Sequence, residues 1–381
     1  MKLLEVHVIQ TVAPSNLNRD DTGSPKDALF GGFRRARISS QAQKRAVRVA
    51  FREGLIGEFT EAELAIRTQR LIRERLIPLL VGRGIAEQDA LAASKRLLEL
   101  MKKQEKGSFF KKDDPEKTSY LLFLGSEEVR RLVDLIHREM QKLLTGTLSD
   151  KERKHFLNEL LDILNGGKAV DLALFGRMLA DRPEFGVDAA CQVAHALSTH
   201  KVDREFDFYT AVDDLNPKED TGAGMMGDVE FYSATMYRYA VVNLDKLLEN
   251  LQGDQELARK GALAFLEAFA LTLPSGKQNS FAAHNPPLFL AFRAGVGMPR
   301  NLATAFERPI WPKEGKALSD LSVEALAREW AKFDRAYGPL SPEWKGALNL
   351  TEGEAEGLPL AQSLPELRGK VEEALRALLE G

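Results

Sequence analysis

The 381-residue chain contains a single cysteine, Cys191, which excludes an internal disulfide framework and any zinc site built on cysteine pairs. Long apolar runs are missing as well, since none approaches the roughly 18 residues that span a bilayer. The opening "MKLLEVHVIQ" alternates like a strand and lacks the apolar core and small-residue cleavage site of a signal peptide. A cytoplasmic protein without a membrane partner is therefore expected. No nucleophile elbow, phosphate-binding P-loop or strand-borne G-x-G-x-x-G occurs. Charge of one sign is absent overall: the formal net charge is −3, which does not suit a protein that coats nucleic acid by charge alone.

One segment departs from that balance. "FGGFRRARISSQAQKRAVRVAFR", residues 30–52, holds seven basic residues and no acidic one. Ser40 and Gln43 fit an S-x-x-Q capping box, which predicts a helix start. Ala42, Ala46, Val49 and Ala50 then fall on a face to bury, while Lys44, Arg48 and Arg52, with Arg45 beside them, form a basic face. Ser39, Ser40 and Gln41 lie at the helix N-terminus, where backbone N–H groups and the dipole favour a phosphate. Gly31 and Gly32 allow backbone to approach a ligand closely. The expectation is a track for a nucleic-acid backbone on an otherwise ordinary surface.

Along the chain, Leu4, Val6 and Val8 alternate with Glu5 and His7, predicting a half-buried first strand. "APSNLNRDDTGSPKDALFGG" reads as a long loop before the basic helix. Residues 60–180 carry Leu and Ile at helical intervals, broken by a mobile loop at "KKQEKGSFFKKDDPEK". Strand alternation returns from Val187 to Leu197, and a loop-rich excursion follows. Next come an aromatic-rich strand over 229–244, a helix over 254–271 and a strand over 288–293. After Asn301 the pattern is helical to the end. Without insertions the order is β-α-β-β-α-β, an α+β arrangement of the ferredoxin-like, RNA-recognition-motif type.

Other constellations carry less. Phe206, Phe208 and Tyr209 in "FDFYTAVDDL" suit stacking on unpaired bases, or else anchor their loop to the core. The pairs Asp20–Asp21, Asp213–Asp214 and Glu219–Asp220 lack the third acid of a two-metal site, and adjacent Asp residues in turns are more often Asx-turns. His195 falls on the apolar alternation as a core histidine, and no cofactor or metal is called for.

"LNRDDTGSPKDALFGGFRRARISSQAQKRAVR" closely resembles the N-terminal signature of the CasC family, the backbone subunits of the type I-E CRISPR Cascade complex. The likeness continues through "DLALFGRML", "FDFYTAVDDL", "GDVEFYSATMYRYAVVNL" and "PSGKQNSFAAHNPP". It implies a right-hand-like architecture. A modified RNA-recognition palm would span 1–58, 183–200 and 228–381, the last with a helical tail. Helical fingers would span 59–182 and a long loop or hairpin thumb 201–227.

The resemblance also implies a non-catalytic subunit of an antiviral ribonucleoprotein. It would bind CRISPR RNA, assemble head to tail with its own copies and other Cascade subunits, and hold the guide for a target DNA strand. By motif, Arg19, Lys26, Ser39, Gln41, Lys44 and Arg48 would contact the RNA backbone, with Arg45 added on charge. Phe208, Tyr209 and Val212 of the thumb, with Met178, would wedge at the kinks of the guide–target duplex. The competing expectation is a metal-dependent ribonuclease acting on target RNA through Asp20 and Asp21.

Overall fold

Strand β1 (Lys2–Ser15) is buried on both faces, where the alternation predicted one face in water. Its polar residues are folded under cover. The Glu5 carboxylate accepts from the Tyr239 hydroxyl at 2.6 Å and the Arg300 N–H at 2.5 Å, with Arg293 at 3.8 Å. His7 Nδ1 meets the Tyr237 hydroxyl at 2.9 Å, and its ring lies 4.8 Å from that of Trp330. Partners more than 200 residues away engage these groups, so their spacing in the sequence mimics a solvent face.

The computed structural model describes residues 1–102, 109–145, 148–165, 167–179, 182–211, 214–215 and 225–380. The chain divides into two units: Met1–Ile56, Gln192–Asn243 and Ala262–Gly381 in the first, Gly57–Cys191 and Leu244–Gly261 in the second. No helix among the described residues is long and apolar enough to cross a membrane.

The first unit is built on β1. After it come β2 (Asp27–Phe30), β3 (Phe33–Ile38), helix α1 (Ser40–Arg52), β4 (Cys191–Val193), β5 (Ala196–Ser198), β6 (Glu205–Ala211) and β7 (Met225–Asn243). Helix α2 (Gln255–Leu271), whose second half belongs to this unit, leads to β8 (Phe289–Val296). Helix α3 (Leu318–Tyr337), β9 (Glu343–Asn349), β10 (Leu360–Ala361) and α4 (Leu364–Glu380) complete it. The sheet order is β10-β9-β8-β1-β7-β5-β3-β2, with β4 and β6 also paired to β7. Both neighbours of β1 run antiparallel to it. Helix α3 covers one face, where Val323, Leu326 and Trp330 join Leu3, Ile9 and Phe289 in one core cluster.

Three expectations change here. Residues 27–38 form a hairpin, and its two-residue turn is Gly31–Gly32, at φ 59° and 83°. Positive φ at both positions is what a type I′ turn requires. A Cβ on Gly31 would fall 1.7 Å from the Glu307 carbonyl oxygen, so the glycine serves internal packing. Of the alternation over Val187–Leu197, only 191–193 and 196–198 are strand. The region after Asn301 contains β9, which pairs with β8 along seven residues. Gly346 at its middle lets the Phe292 ring come within 3.0 Å of where a Cβ would stand, and a glycine there hides the strand pattern.

The second unit is mainly helical, with helices at Glu87–Glu99, Ser126–Arg138 and Asp150–Leu164 around a shared apolar core. Strands Ala65–Thr68 and Leu122–Gly125 pair antiparallel within it. The loop expected to be mobile is anchored where it is described: Phe109 and Phe110 are buried edge to face, 5.4 Å apart.

Candidate nucleic-acid interface

Helix α1 begins one residue earlier than its sequence suggested. Ser39 is the N-cap, extended at φ −67° and ψ 151°, and its hydroxyl accepts the Ala42 N–H at 3.3 Å. Its own N–H donates to the Asn18 carboxamide oxygen at 2.8 Å, which holds Ser39 out of the helix. Such a cap contributes about 1 kcal/mol. The first turn carries no acidic side chain of its own to pair with the positive end of the helix dipole.

The buried face is Gln43, Val47, Ala50 and Phe51, whereas Ala42, Ala46 and Val49 are half-buried. The shift arises because a polar residue faces inward. Gln43 donates to the Ala194 carbonyl at 2.9 Å and accepts from Arg238 Nε at 3.2 Å. Arg238 in turn donates to Gln10 at 2.6 Å and to the carbonyls of Phe269, Ala270 and Thr272 at the end of α2. Complete burial pushes its guanidinium down to about 9, still charged at neutral pH. Arg238 thus ties α1, β1 and α2 together.

With that face inward, Gln41, Arg45 and Arg52 are exposed, and Lys44 and Arg48 are half-buried. The preceding loop is packed against the helix start. Asn18 accepts the Lys26 N–H on its carbonyl at 2.8 Å, while Asn16, fully buried, donates to the carbonyls of Gly23 and Glu230. Arg19 is exposed on this loop and pairs with Pro25 in an isolated bridge. A Cβ on Gly276 would lie 2.3 Å from the Leu17 carbonyl oxygen. The segment "PSGKQNSFAAHNPP" therefore packs against this loop across more than 250 residues. Lys277 there sits at φ 53°, a conformation that costs a non-glycine residue of order 1 kcal/mol. Nothing in the sequence singled out Lys277; its backbone geometry does.

The basic stretch is not one continuous track. Arg35 is wholly buried and donates to the carbonyls of Ser198, Phe306 and Glu307. Arg34 pairs with Asp27, which also binds Arg204 at 2.8 Å. Burial pushes the Asp27 carboxyl up, but Arg34 and Arg204 hold it below the ordinary value. Arg37 donates to the Asp27 carbonyl and meets His195 Nδ1 at 3.0 Å. His195 is thus exposed rather than a core residue. Partial burial, then the charges of Arg37 and Lys26, depress its protonation. The compensating acid lies only three residues before the stretch began.

Asp20 forms an Asx-turn. One carboxylate oxygen accepts from the Thr22 N–H, the Thr22 hydroxyl and the Ser24 N–H, and the Thr22 hydroxyl leads in lowering its pKa. Asp21 is exposed. Among the described residues no group of three or more His, Cys, Asp or Glu is placed to hold a metal.

Strands β6 and β7 form a hairpin in which Phe206 pairs with Glu230, Phe208 with Asp228 and Tyr209 with Gly227. Phe206 and Phe208 share one face, 65% and 66% exposed, so they do not anchor the hairpin to the core. Tyr209 lies on the opposite face. A Cβ on Gly227 would come within 2.5 Å of its hydroxyl oxygen, so the ring covers bare backbone. Val212, Asp213, Glu219 and Asp220 lie outside the described residues. At the hairpin's root Arg204 bridges Asp27 and Glu230. Met178 belongs to the second unit, exposed beside the buried Arg177–Glu128 ion pair.

The profile of the CT1975-like protein family matches residues 4–369. The chain belongs to that family. The CasC likeness read from its motifs agrees with this match: the chain is a CasC-type Cascade subunit. A solved chain from a "CRISPR RNA-guided surveillance complex, pre-nicking" is 33% identical, with a TM-score of 0.81, covering 98% of this chain and 100% of that one. Another, from a "CRISPR RNA-guided surveillance complex", is 28% identical, with a TM-score of 0.71 and coverage of 98% and 99%. No curated protein matched this sequence.

Proposed function

We propose that this CasC-type subunit binds CRISPR RNA along its sugar–phosphate backbone, assembles head to tail with further copies, and holds the guide for pairing with target DNA without cutting it. The observation that carries this reading is α1. Its inner face is locked by Gln43 and Arg238, its first turn lacks an acid, and its outer side presents Gln41, Lys44, Arg45, Arg48 and Arg52. Arg19, Lys26 and Ser39 gather at its start through Asn18. A backbone subunit must accept any guide, so contacts to phosphate and sugar suit it and base readout does not.

Strand order supports a modified RNA-recognition palm. The run β8-β1-β7-β5 corresponds to 4-1-3-2 in a β-α-β-β-α-β fold, with α1 and α2 as its two crossovers. The helical unit would be the fingers and the β6–β7 hairpin the thumb, whose aromatic side chains stack at duplex kinks together with Met178. The engagement of Asp20 in its own turn supports a non-catalytic role.

End-labelled single-stranded RNA, incubated with the protein and Mg²⁺, tests this on native and denaturing gels. Shifted complexes containing intact RNA support the reading. Shortened RNA, abolished by Asp20→Ala or Asp21→Ala, overturns it in favour of a ribonuclease.

A further inference from the structure

His195 lies exposed at the edge of the basic site. Arg37 pairs with Leu197 and Ile38 with Ala196, so the next step of that antiparallel register sets Ser39, the cap of α1, opposite His195. Gln43 of α1 reaches the carbonyl of the preceding residue, Ala194, at 2.9 Å. Arg37 Nη1 lies 3.0 Å from His195 Nδ1. A guanidinium only donates, so Nδ1 accepts and the proton of the ring sits on Nε2. Arg37 is held in turn, since its Nε donates to the Asp27 carbonyl at 3.0 Å. Partial burial and the charges of Arg37 and Lys26 oppose a second proton on the ring. The result is a neutral, oriented N–H donor, and its Nε2 has no partner among the described residues.

We propose that His195 donates from Nε2 to a ribose 2′-oxygen and so gives this subunit a preference for RNA over DNA, an inference that rests on the RNA-binding function above. Phosphates are common to both nucleic acids. A backbone contact blind to sequence tells the two apart through the 2′-hydroxyl. Lys26, Lys44 and Arg45 bring charge to phosphates, whereas His195 brings a donor without charge. The other neutral groups at the start of α1 suit the role less. The Ser39 hydroxyl is taken by the Ala42 N–H, and Gln41 swings on an exposed side chain whose carboxamide oxygen accepts from Ser40. The imidazole is fixed by Arg37, so it loses less freedom on binding. The same tautomer bars His195 from acting as a base. Its Nε2 has no lone pair with which to take a proton from the 2′-hydroxyl, so the contact holds the sugar without promoting cleavage.

The test uses the full chain and one single-stranded sequence made as RNA, as 2′-fluoro RNA and as DNA, with binding read by fluorescence anisotropy. Fluorine keeps the sugar pucker of RNA but accepts hydrogen bonds poorly, so this comparison separates the bond from the sugar shape. For one bound copy, wild-type protein should bind RNA about two- to tenfold more tightly than 2′-fluoro RNA, the worth of one neutral hydrogen bond. DNA should bind no more tightly than 2′-fluoro RNA. His195→Ala should erase the difference by weakening RNA alone, with the salt slope unchanged because no charge is lost. His195→Gln, whose amide N–H reaches the place of Nε2, should keep part of the preference. Thermal melts should show both variants folded.

If wild-type protein binds RNA and 2′-fluoro RNA equally, or the preference persists in His195→Ala, the inference falls and the RNA-binding function stands. Equal loss for both in His195→Ala, with the salt slope lower by about 0.7, would assign His195 to a phosphate and overturn it. Equal loss at an unchanged slope would make the residue structural and overturn it as well. If wild-type protein binds none of the three, the RNA-binding function fails and takes this inference with it.

Discussion

Gln43 and Arg238 share a buried hydrogen bond of 3.2 Å beneath the helix that presents the basic side chains. One residue lies on α1 and the other on β7, 195 positions apart. The bond fixes which side of α1 faces outward. Removing Arg238 strands Gln10, Gln43 and three carbonyls at the end of α2. Arg238→Ala should therefore destabilise by about 3–5 kcal/mol, since each buried acceptor left without its donor costs about 1–3 kcal/mol. Arg238→Lys should restore little, because an ammonium cannot reproduce the planar fork. Urea denaturation measures both. A loss below about 1 kcal/mol for either variant would show that the bonding around Arg238 is dispensable.

The outward face makes a second expectation. Lys44→Ala or Arg45→Ala should weaken RNA binding equally for guides of different sequence. Each should also lower the salt slope by about 0.7, the value for one phosphate contact on a single strand. Fluorescence anisotropy over a range of salt reads both quantities. A loss confined to some sequences would mean base readout and contradict a backbone-gripping helix.

Much of this face was legible in the sequence, because charge at helical spacing is a local signal. Buried polar residues were not legible. Arg35 and Arg238 resemble Arg45 in composition, yet both end wholly inside, held by carbonyls that only the fold brings near. The same limit rotated the helix, since Gln43 took a core position that alanines were expected to fill. Strand β1 misled likewise through Glu5 and His7. Strand β9 escaped notice because Gly346 interrupts it, while β7, dense in aromatics and valine, was evident. The close packing of Gly31 on Glu307 was hidden too, because a glycine pair looks alike whether it meets a ligand or its own chain.

Acid should weaken the fold through His7. Burial, reinforced by the nearby charge of Arg293, pushes its imidazole down from 6.5 to about 3. Below pH 6.5 the unfolded chain takes up a proton that the folded chain refuses. His7 therefore costs nothing above pH 6.5 and about 1.4 kcal/mol for each unit of acidification towards pH 3. The carboxyl of Glu5, raised by burial, acts in the opposite sense above pH 4.5. Comparison with His7→Gln isolates the histidine: the stability difference between the two proteins should shift by about 2 kcal/mol between pH 6.5 and 5. A difference independent of pH would show that His7 takes up its proton as readily in the fold as in the unfolded chain.

The hairpin should separate stability from assembly. Phe208 is exposed on β6, so Phe208→Ala should change folding stability by no more than about 0.5 kcal/mol while reducing the number of subunits held on one RNA. Gly227→Val should act through Tyr209, whose ring occupies the space of a Cβ there. Thermal melts together with native gels distinguish the two effects. Loss of folding in Phe208→Ala would make the hairpin structural.

The central claim is that copies of this chain assemble on RNA as a regular backbone. Mass photometry of the protein on single-stranded RNAs of increasing length tests it most directly. The account predicts that complex mass climbs in steps of one chain as RNA length grows by a fixed number of nucleotides, independent of sequence. A single mass that does not change with RNA length would contradict it.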